Sequence, residues 1–474
     1  MSWHDRVGSV LHPLLMLPVR AALRGYFGKV TIRDAERLPS SGPVLVVANQ
    51  PATLSEVFLL GTRLHRRFHF LAASFVFRPW IRGVVVRIAG AVPIYRRQDD
   101  PTQTYRNEDA FRACHDLFDR GGAIVIFPEG ESRTDRALLP LKTGAARLAL
   151  EYESRRAGSL TVVPVGIHFS DRTRFRSEAV VSVGRPIDLR PFAGSGDPQE
   201  AVRSLTATMQ RSLESLILNV PDDAMVRFLG DVERLYLQDL REKRPDEIDL
   251  DLLRRVADCM RHYQSADPQR VYTAWRRTTA YWRKLHAVGL ADPAFQDEAR
   301  FRTATRRAVL VGLGAIAGFA PAALGFLINA LPFYASDVLA KAVAPQAILI
   351  SGVRMIAGVL LFPLTYALLA LGLRRLAGWS WPPIGAALIA AVGLGFFALA
   401  YLGWLKTERE RLRFAWVASR DRRLVAELRA ERKALIRLFE EARSEYLASI
   451  AGAGGLEAPS SATRNPPALE RSSP

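Results

Sequence analysis

The chain has 474 residues, of which 49% are hydrophobic, and a formal net charge of +18, so we expect two or three domains and anionic partners. No nucleic-acid-binding motif accompanies the positive charge. The two cysteines, Cys114 and Cys259, are far apart, which argues against a disulfide scaffold and against a zinc site.

The first half of the chain is predicted to be an α/β domain preceded by a short helix. Residues 1–28 alternate apolar and basic side chains, which predicts an amphipathic helix that lies on a membrane or packs on the next domain. Strand and helix patterns then alternate over residues 29–220. This predicts a mixed sheet flanked by helices. Apolar runs place its strands at 30–32, 44–48, 69–72, 91–94, 123–127, 161–168 and 179–183.

The second half is predicted to be helical. Residues 221–306 are densely charged, with apolar residues at helical spacing, and are interpreted as a helical connector. Residues 407–450 form a charged helix with leucines on one side, which is either solvated or self-associating. Residues 451–474 are rich in Ala, Gly, Pro and Ser, and this composition predicts a disordered tail.

Residues 307–406 are predicted to be a transmembrane region with two to three apolar segments. Basic pairs at 306–307 and 374–375, and a basic tail from Lys406, all favour the cytoplasmic side. Two spans satisfy the two pairs, but a third span would place the tail outside. The sequence leaves two alternatives open: the last segment is re-entrant around Pro382-Pro383, or hydrophobicity overrides charge once.

Four short segments in the predicted α/β domain carry the residues of a candidate site. They are the segment from Asn49-Gln50 to Glu56, the run Gly90-Ala91-Val92-Pro93-Ile94-Tyr95-Arg96, the block Phe127-Pro128-Glu129-Gly130 followed by Lys142, and the strand Val162-Val163-Pro164-Val165-Gly166.

In this order, the four segments resemble the motifs of the glycerolipid acyltransferase superfamily over about the first 220 residues. A domain of this kind followed by apolar spans looks most like the glycerol-3-phosphate or dihydroxyacetone-phosphate branch. The resemblance implies transfer of a fatty acyl group from acyl-CoA or acyl-carrier protein to a glycerol phosphate or a lysophospholipid, in phospholipid biosynthesis. It implies no cofactor other than the acyl donor, and no metal.

The resemblance also implies roles for individual residues. Arg96 would bind the phosphate of the acceptor. The acyl-donor site would be bordered by Pro164. The acceptor site would be lined by Phe127, Pro128, Glu129, Gly130 and Lys142.

Gln50 and Glu56 depart from the family pattern, which has a catalytic histidine and an aspartate at these positions. Glutamine has no titratable nitrogen, and loss of a general base typically lowers a rate by about 10²–10⁴. Glu56 keeps the carboxylate on a longer side chain and is a candidate base if it is buried. The nearest histidines are expected to be structural; they are His65, His69 and His168.

Two hypotheses follow, and the sequence leaves open whether the chain is an enzyme. The first is a membrane-bound acyltransferase. The second is a catalytically impaired pseudoenzyme that binds lipid or acyl-CoA and scaffolds a membrane complex. Both predict an integral membrane protein in contact with lipids, with the acyltransferase domain on the cytoplasmic side and no nucleic-acid partner.

Overall fold

The computed structural model describes most of the chain. The described residues are 17, 19–50, 55–77, 86–87, 90–95, 101–130, 138–170, 176–193, 196–218, 223–237, 239–240, 249–290, 292, 304–343 and 347–453. They form two compact units, one from residues 1–227 and 297–415 and the other from residues 228–296 and 416–474. Residues 19–26 are helical, and most of the predicted amphipathic helix before them lies outside the described residues.

The first unit contains a seven-stranded sheet with the order β1-β7-β6-β2-β5-β3-β4. All neighbouring strands are parallel except β6 and β7, which are antiparallel. This mixed sheet confirms the predicted fold class. The strands are β1 Lys29–Arg33, β2 Val44–Ala48, β3 Phe68–Ala73, β4 Ala91–Ile94, β5 Ala123–Ile126, β6 Thr161–Phe169 and β7 Glu178–Val183.

Helices cover both faces of this sheet. The bounds of the helices are α1 Ser55–Arg63, α2 Asn107–Asp119, α3 Gly144–Arg155, α4 Arg190–Ala193 and α5 Pro198–Glu214. One apolar cluster contains Leu59 and Leu60 of α1, and the other contains buried residues of α2, α3 and α5. Strand β2 is buried along its whole length, because a run of Val, Leu and Ala suits a central parallel strand that is covered on both faces.

Three long apolar helices belong mainly to the same unit: α9 Ala304–Val343, α10 Ala347–Leu376 and α11 Trp381–Arg420. Each is long and apolar enough to cross a membrane, with a mean hydropathy between 2.0 and 2.2. Helix α11 is continuous through the predicted boundary at residue 406. Pro382 and Pro383 lie in its first turn, where the missing N–H of proline is tolerated.

One amide side chain links the three apolar helices. Asn329 of α9 accepts a hydrogen bond from the Tyr366 hydroxyl of α10 (2.6 Å) and donates one to the carbonyl of Ala391 on α11 (3.1 Å). Such bonds hold apolar helices together, because a polar group in hydrocarbon has few other partners. Met355, near the start of α10, is also part of the apolar cluster that contains α1.

The second unit is helical, and we call it the helical unit. Its helices are α6 Asp223–Val232, α7 Asp249–Ala266, α8 Pro268–Val288 and α12 Arg422–Ala453, with a π-helical turn at Glu233–Leu237. Helix α8 begins at Pro268, because the Asp267 side chain accepts a hydrogen bond from the Arg270 amide and proline is favoured as the first helical residue.

Helix α12 uses its apolar face inside the chain. Leu428 and Leu435 are completely or almost completely buried. The buried Arg432 guanidinium pairs with the Asp292 carboxylate, with Nε 3.1 Å from Oδ1. The face that the sequence offered for self-association through residues 407–450 is therefore covered within the helical unit, and self-association stays a prediction. Residues 454–474, most of the predicted disordered tail, lie outside the described residues.

Candidate active site

The carboxyl ends of β2 and β5 bring the first and third motifs together. These neighbouring strands are parallel, with Val47 opposite Ile126, so the residues that follow them meet at one edge of the sheet. There the backbone N–H of Gln50 donates a hydrogen bond to Oε1 of Glu129, with a distance of 2.8 Å. Two segments separated by 79 residues thus form one polar site.

Glu129 is held by backbone groups on two sides. It is 7% exposed, and its second carboxylate oxygen accepts a hydrogen bond from the Leu139 amide (3.0 Å). Hydrogen bonds to an ionised group are among the stronger ones in proteins. The structure thus gives Glu129 a positioning role for Gln50, while the acceptor contact implied by the resemblance stays a prediction.

A tight turn carries the third motif past the end of β5. The Gly130 amide donates to the carbonyl of Phe127 (3.2 Å), and Gly130 has a φ of 69°, which favours glycine. Pro128 lies inside this turn and is buried, and its carbonyl accepts from the Lys142 amide (2.8 Å). A Cβ atom on Gly130 would lie only 2.7 Å from Nζ of Lys142. The Lys142 ammonium group therefore lies directly against this turn.

Asn49 is a positioning residue that the sequence analysis did not single out. It is 6% exposed, and its side-chain amide pairs with the backbone of Ile167 in both directions. Nδ2 donates to the Ile167 carbonyl (2.9 Å), and Oδ1 accepts from the Ile167 amide (2.7 Å). The side chain thus continues the pairing of β2 with β6 by one step and fixes the backbone before Gln50. The signal in the sequence was an asparagine placed directly after a wholly apolar strand.

Gln50 and Glu56 differ in their exposure. Gln50 is half-buried at the sheet edge, whereas Glu56 is completely buried in the first turn of α1. A carboxylate at a helix N-terminus is stabilised by the positive end of the helix dipole. The residues between them, 51–54, lie outside the described residues.

The second and fourth motifs take different places in the fold. Arg96 lies outside the described residues. Strand β4 ends two residues before Arg96, at the sheet edge where β2 and β5 also end, and three strand spacings place β4 about 14 Å from β2. Pro164 lies inside β6, opposite Val47, and is buried. Its carbonyl accepts from the Gly184 amide (2.8 Å). The assignment of Pro164 to the acyl-donor site stays a prediction.

Two other buried ionisable side chains of this domain, Cys114 and His115, are better suited to packing than to catalysis. Burial raises the pKa of the Cys114 thiol to about 12, so this residue is not a nucleophile near neutral pH. Burial also lowers the pKa of His115, whose Nδ1 is 3.0 Å from the Arg155 guanidinium. Both residues lie on α2, which packs with α3 and α5 on one face of the sheet. In the part of the chain that the structure describes, no group of His, Cys, Asp and Glu is arranged to hold a metal.

Comparisons with known proteins found a family model and several relatives. Residues 29–168 match the family model described as Acyltransferase. Over 190 residues the chain is 32% identical to glycerol-3-phosphate O-acyltransferase 2 of Saccharomyces cerevisiae. This alignment covers 39% of this chain and 25% of the yeast protein. Over 173 residues the chain is 30% identical to the chloroplastic 1-acyl-sn-glycerol-3-phosphate acyltransferase LPAT1 of Arabidopsis thaliana. This alignment covers 36% of this chain and 45% of the plant protein.

A solved structure also resembles the chain. It is the crystal structure of the 1-acyl-sn-glycerophosphate (LPA) acyltransferase PlsC from Thermotoga maritima, with 18% sequence identity and a TM-score of 0.34. The alignment covers 46% of this chain and 83% of that one. Among the sequence relatives, the match spans only about a quarter of the yeast protein.

Proposed function

We propose that residues 29–168, an acyltransferase-family domain, transfer a fatty acyl group from a thioester donor to the hydroxyl of a glycerol-phosphate-type acceptor. The contact between the Gln50 amide and Glu129 carries this proposal, because it joins two motifs of the resemblance at one sheet edge. Lys142, beside Gly130, offers a positive charge to the acceptor's phosphate. The donor in this proposal is acyl-CoA or acyl-carrier protein.

The reaction needs a proton acceptor and a group that stabilises the developing oxyanion. The acceptor's hydroxyl oxygen attacks the thioester carbonyl carbon, the C–O bond forms, the C–S bond breaks, and the proton ends on the departing thiolate. We assign proton transfer to the Glu56 carboxylate, since Gln50 has no titratable nitrogen. The Gln50 side-chain amide has N–H donors for the thioester oxygen.

Direct measurement of acyl transfer tests this function. The full chain, reconstituted in lipid vesicles, is given acyl-CoA or acyl-carrier protein with glycerol 3-phosphate, dihydroxyacetone phosphate or lysophosphatidate. We expect an ester product with at least one acceptor. The double variant Gln50→His/Glu56→Asp restores the family's residues and serves as the comparison. A silent wild type beside an active double variant would overturn the proposal.

The relatives described above are all named as acyltransferases, and these names give no support to the alternative of a non-catalytic scaffold. The same assay separates the two ideas.

The packing of the helical unit supports an even number of membrane crossings. Its two chain segments lie before and after the three apolar helices, and they are joined by the buried Arg432–Asp292 ion pair, whose partners are 140 residues apart. Segments that pack together in water lie on one side of a bilayer. The apolar region would then enter and leave the membrane on the same side. Three single crossings by α9, α10 and α11 would put its two ends on opposite sides, so the three helices would not each cross the membrane once. This arrangement also keeps the basic tail on the side of the basic pair at 306–307, which we propose is cytoplasmic.

Cysteine labelling tests this orientation. Single cysteines are placed at exposed positions by Glu200→Cys in α5, Gln269→Cys in α8 and Ser449→Cys in α12. A membrane-impermeant maleimide is expected to label all three from the cytoplasmic face. The native Cys114 and Cys259 can remain, because burial raises their pKa to about 12 and about 11 and leaves little reactive thiolate. Labelling of position 449 from the opposite face to position 269 would contradict the even number of crossings.

A further inference from the structure

The start of α10 packs on the acyltransferase domain. Met355 is 5% exposed and belongs to the apolar cluster that also contains residues of β2 and α1. Its neighbour Ile356 is 41% exposed, so α10 turns one side towards the domain and another side away from it. An apolar side chain joins such a cluster only where the two surfaces touch. The start of α10 therefore lies on the side of the membrane that this domain occupies.

The end of α9 lies beside the start of α10. The Asp337 carboxylate pairs with the Arg354 guanidinium across the two helices, and it also pairs with Nζ of Lys341 at 2.7 Å. Charged side chains are costly in the centre of a bilayer. These charges therefore place this end of the helix pair at a boundary of the membrane, and Met355 identifies it as the boundary on the domain's side.

The start of α9 lies on that side as well. Between β7 and α9, the described residues include no helix that is long and apolar enough to cross a membrane. Residues 297–307, which lead into α9, are densely charged. The chain therefore reaches α9 without having crossed the bilayer. Since both ends of α9 lie on one side, this helix does not cross the membrane.

The length of α9 agrees with this arrangement. Its apolar stretch, Ala308–Ala342, has 35 residues and is about 52 Å long at about 1.5 Å per residue. The hydrocarbon core is only about 30 Å thick, so a straight crossing would need a tilt of about 55°, beyond the usual range of about 0–40°. Pro321 and Pro332 lie inside the helix, and proline is a common site of a bend. Such a helix suits the plane of one leaflet better than a crossing.

The turn between α10 and α11 has the composition of a membrane boundary. Arg374 and Arg375 are exposed, and the sequence contains no Asp or Glu from residue 338 to residue 407. Nη1 of Arg374 donates to the Trp379 carbonyl (2.9 Å), and its guanidinium lies over the Trp381 ring. Arginine favours the cytoplasmic side, and tryptophan favours the head-group region. This turn therefore belongs on the side that we assign to the acyltransferase domain.

We propose that α9, α10 and α11 are embedded in one leaflet, the one that faces the acyltransferase domain, and that none of them crosses the bilayer. Their partner is the layer of acyl chains in that leaflet, with Arg374 and Arg375 at its head groups. The even number of crossings described above is then zero. The placement rests on the membrane contacts of the chain and is independent of acyl transfer at Gln50 and Glu56.

Cysteine labelling of the full chain in vesicles tests the proposal. Glu200→Cys in α5 reports the side of the acyltransferase domain, Ala342→Cys the end of α9 and Ser380→Cys the turn after α10; all three positions are exposed. In vesicles with this domain outside, an added membrane-impermeant maleimide is expected to label all three to a similar extent. Leu327→Cys, in the middle of α9, should stay unlabelled. Labelling of position 342 or 380 only after the vesicles are permeabilised would overturn the proposal. The measurement needs no turnover, so it also holds for a catalytically silent chain.

Two neighbouring substitutions test the contact that places α10. Met355→Ala leaves a cavity in the apolar cluster and is expected to lower the midpoint of thermal unfolding by about 5–10 °C. Ile356→Ala shortens an exposed side chain on the same turn of α10 and should lower the midpoint by less than about 2 °C. Equal midpoints for the two variants would remove the contact between α10 and the domain and overturn the proposal.

Discussion

Replacing Glu56 by glutamine is expected to lower the rate of acyl transfer by about 10²–10⁴, the usual effect of losing a general base. Glutamine keeps the shape of the side chain but cannot accept the proton of the acceptor's hydroxyl. Glu56 is completely buried in the first turn of α1, so the exchange should leave the surface of the domain unchanged. The measurement is kcat with the acceptor that the wild type uses, together with the thermal unfolding midpoint of each protein.

Two further variants make this result specific. Glu153→Gln removes another buried carboxylate of the same domain, one that accepts a hydrogen bond from the Gly158 amide; we expect it to change stability but not kcat. Gln50→Ala removes hydrogen bonds rather than the base, and a loss of about tenfold is expected. Full activity in Glu56→Gln, or an equal loss in Glu153→Gln, would refute the assignment of the base.

Replacing Glu129 by alanine is expected to destabilise the domain by about 3 kcal/mol and to abolish acyl transfer. The carboxylate accepts hydrogen bonds from the amides of Gln50 and Leu139, and a bond to a charged group contributes about 1.5–3 kcal/mol. Without it, two backbone donors lose their acceptor and the segment carrying Gln50 loses its anchor. Chemical unfolding measures the first effect, and the acyl-transfer assay measures the second.

The glutamine variant at this position separates positioning from acceptor binding. Glu129→Gln keeps one oxygen acceptor, so a positioning residue should lose part of its stability and of its kcat. A direct ligand of the acceptor would instead raise the acceptor's KM with an unchanged midpoint of unfolding. Glu151→Ala, which removes only an exposed ion pair with Arg155, is the control and should change stability by less than about 1 kcal/mol. Unchanged stability in Glu129→Ala would contradict the positioning role.

Local sequence patterns predicted most strands and the three apolar helices among the residues that the structure describes, but not the end of α11 at Arg420. The run Val44–Ala48 is a strand buried along its length, because five consecutive small apolar residues leave no face for solvent. The strand predicted at 91–94 is Ala91–Ile94, and the capping pair Asp267-Pro268 begins a helix. The three apolar helices follow from length and hydrophobicity alone. These features depend on neighbours in the sequence, which is the range over which backbone preference and periodicity act.

The contacts that form the site could not be read from the chain in this way. The anchoring of Gln50 by Glu129 joins positions 79 residues apart, and the pairing of Asn49 with Ile167 joins positions 118 residues apart. Neither contact follows from a local sequence rule, because each depends on which strands become neighbours and in which register. The resemblance located the motifs but did not assign Glu129 to the backbone or name Asn49 as a support.

The helical unit shows most clearly what the sequence determines and what only the tertiary structure determines. The sequence shows leucines along one side of α12, but this pattern does not specify which surface they pack against. Folding placed this side of α12 against α7 and α8, with Arg432 held by Asp292. Apolar periodicity dictates that a face must be buried, whereas the surface that buries it is selected by the packing and charge pairing of the whole unit.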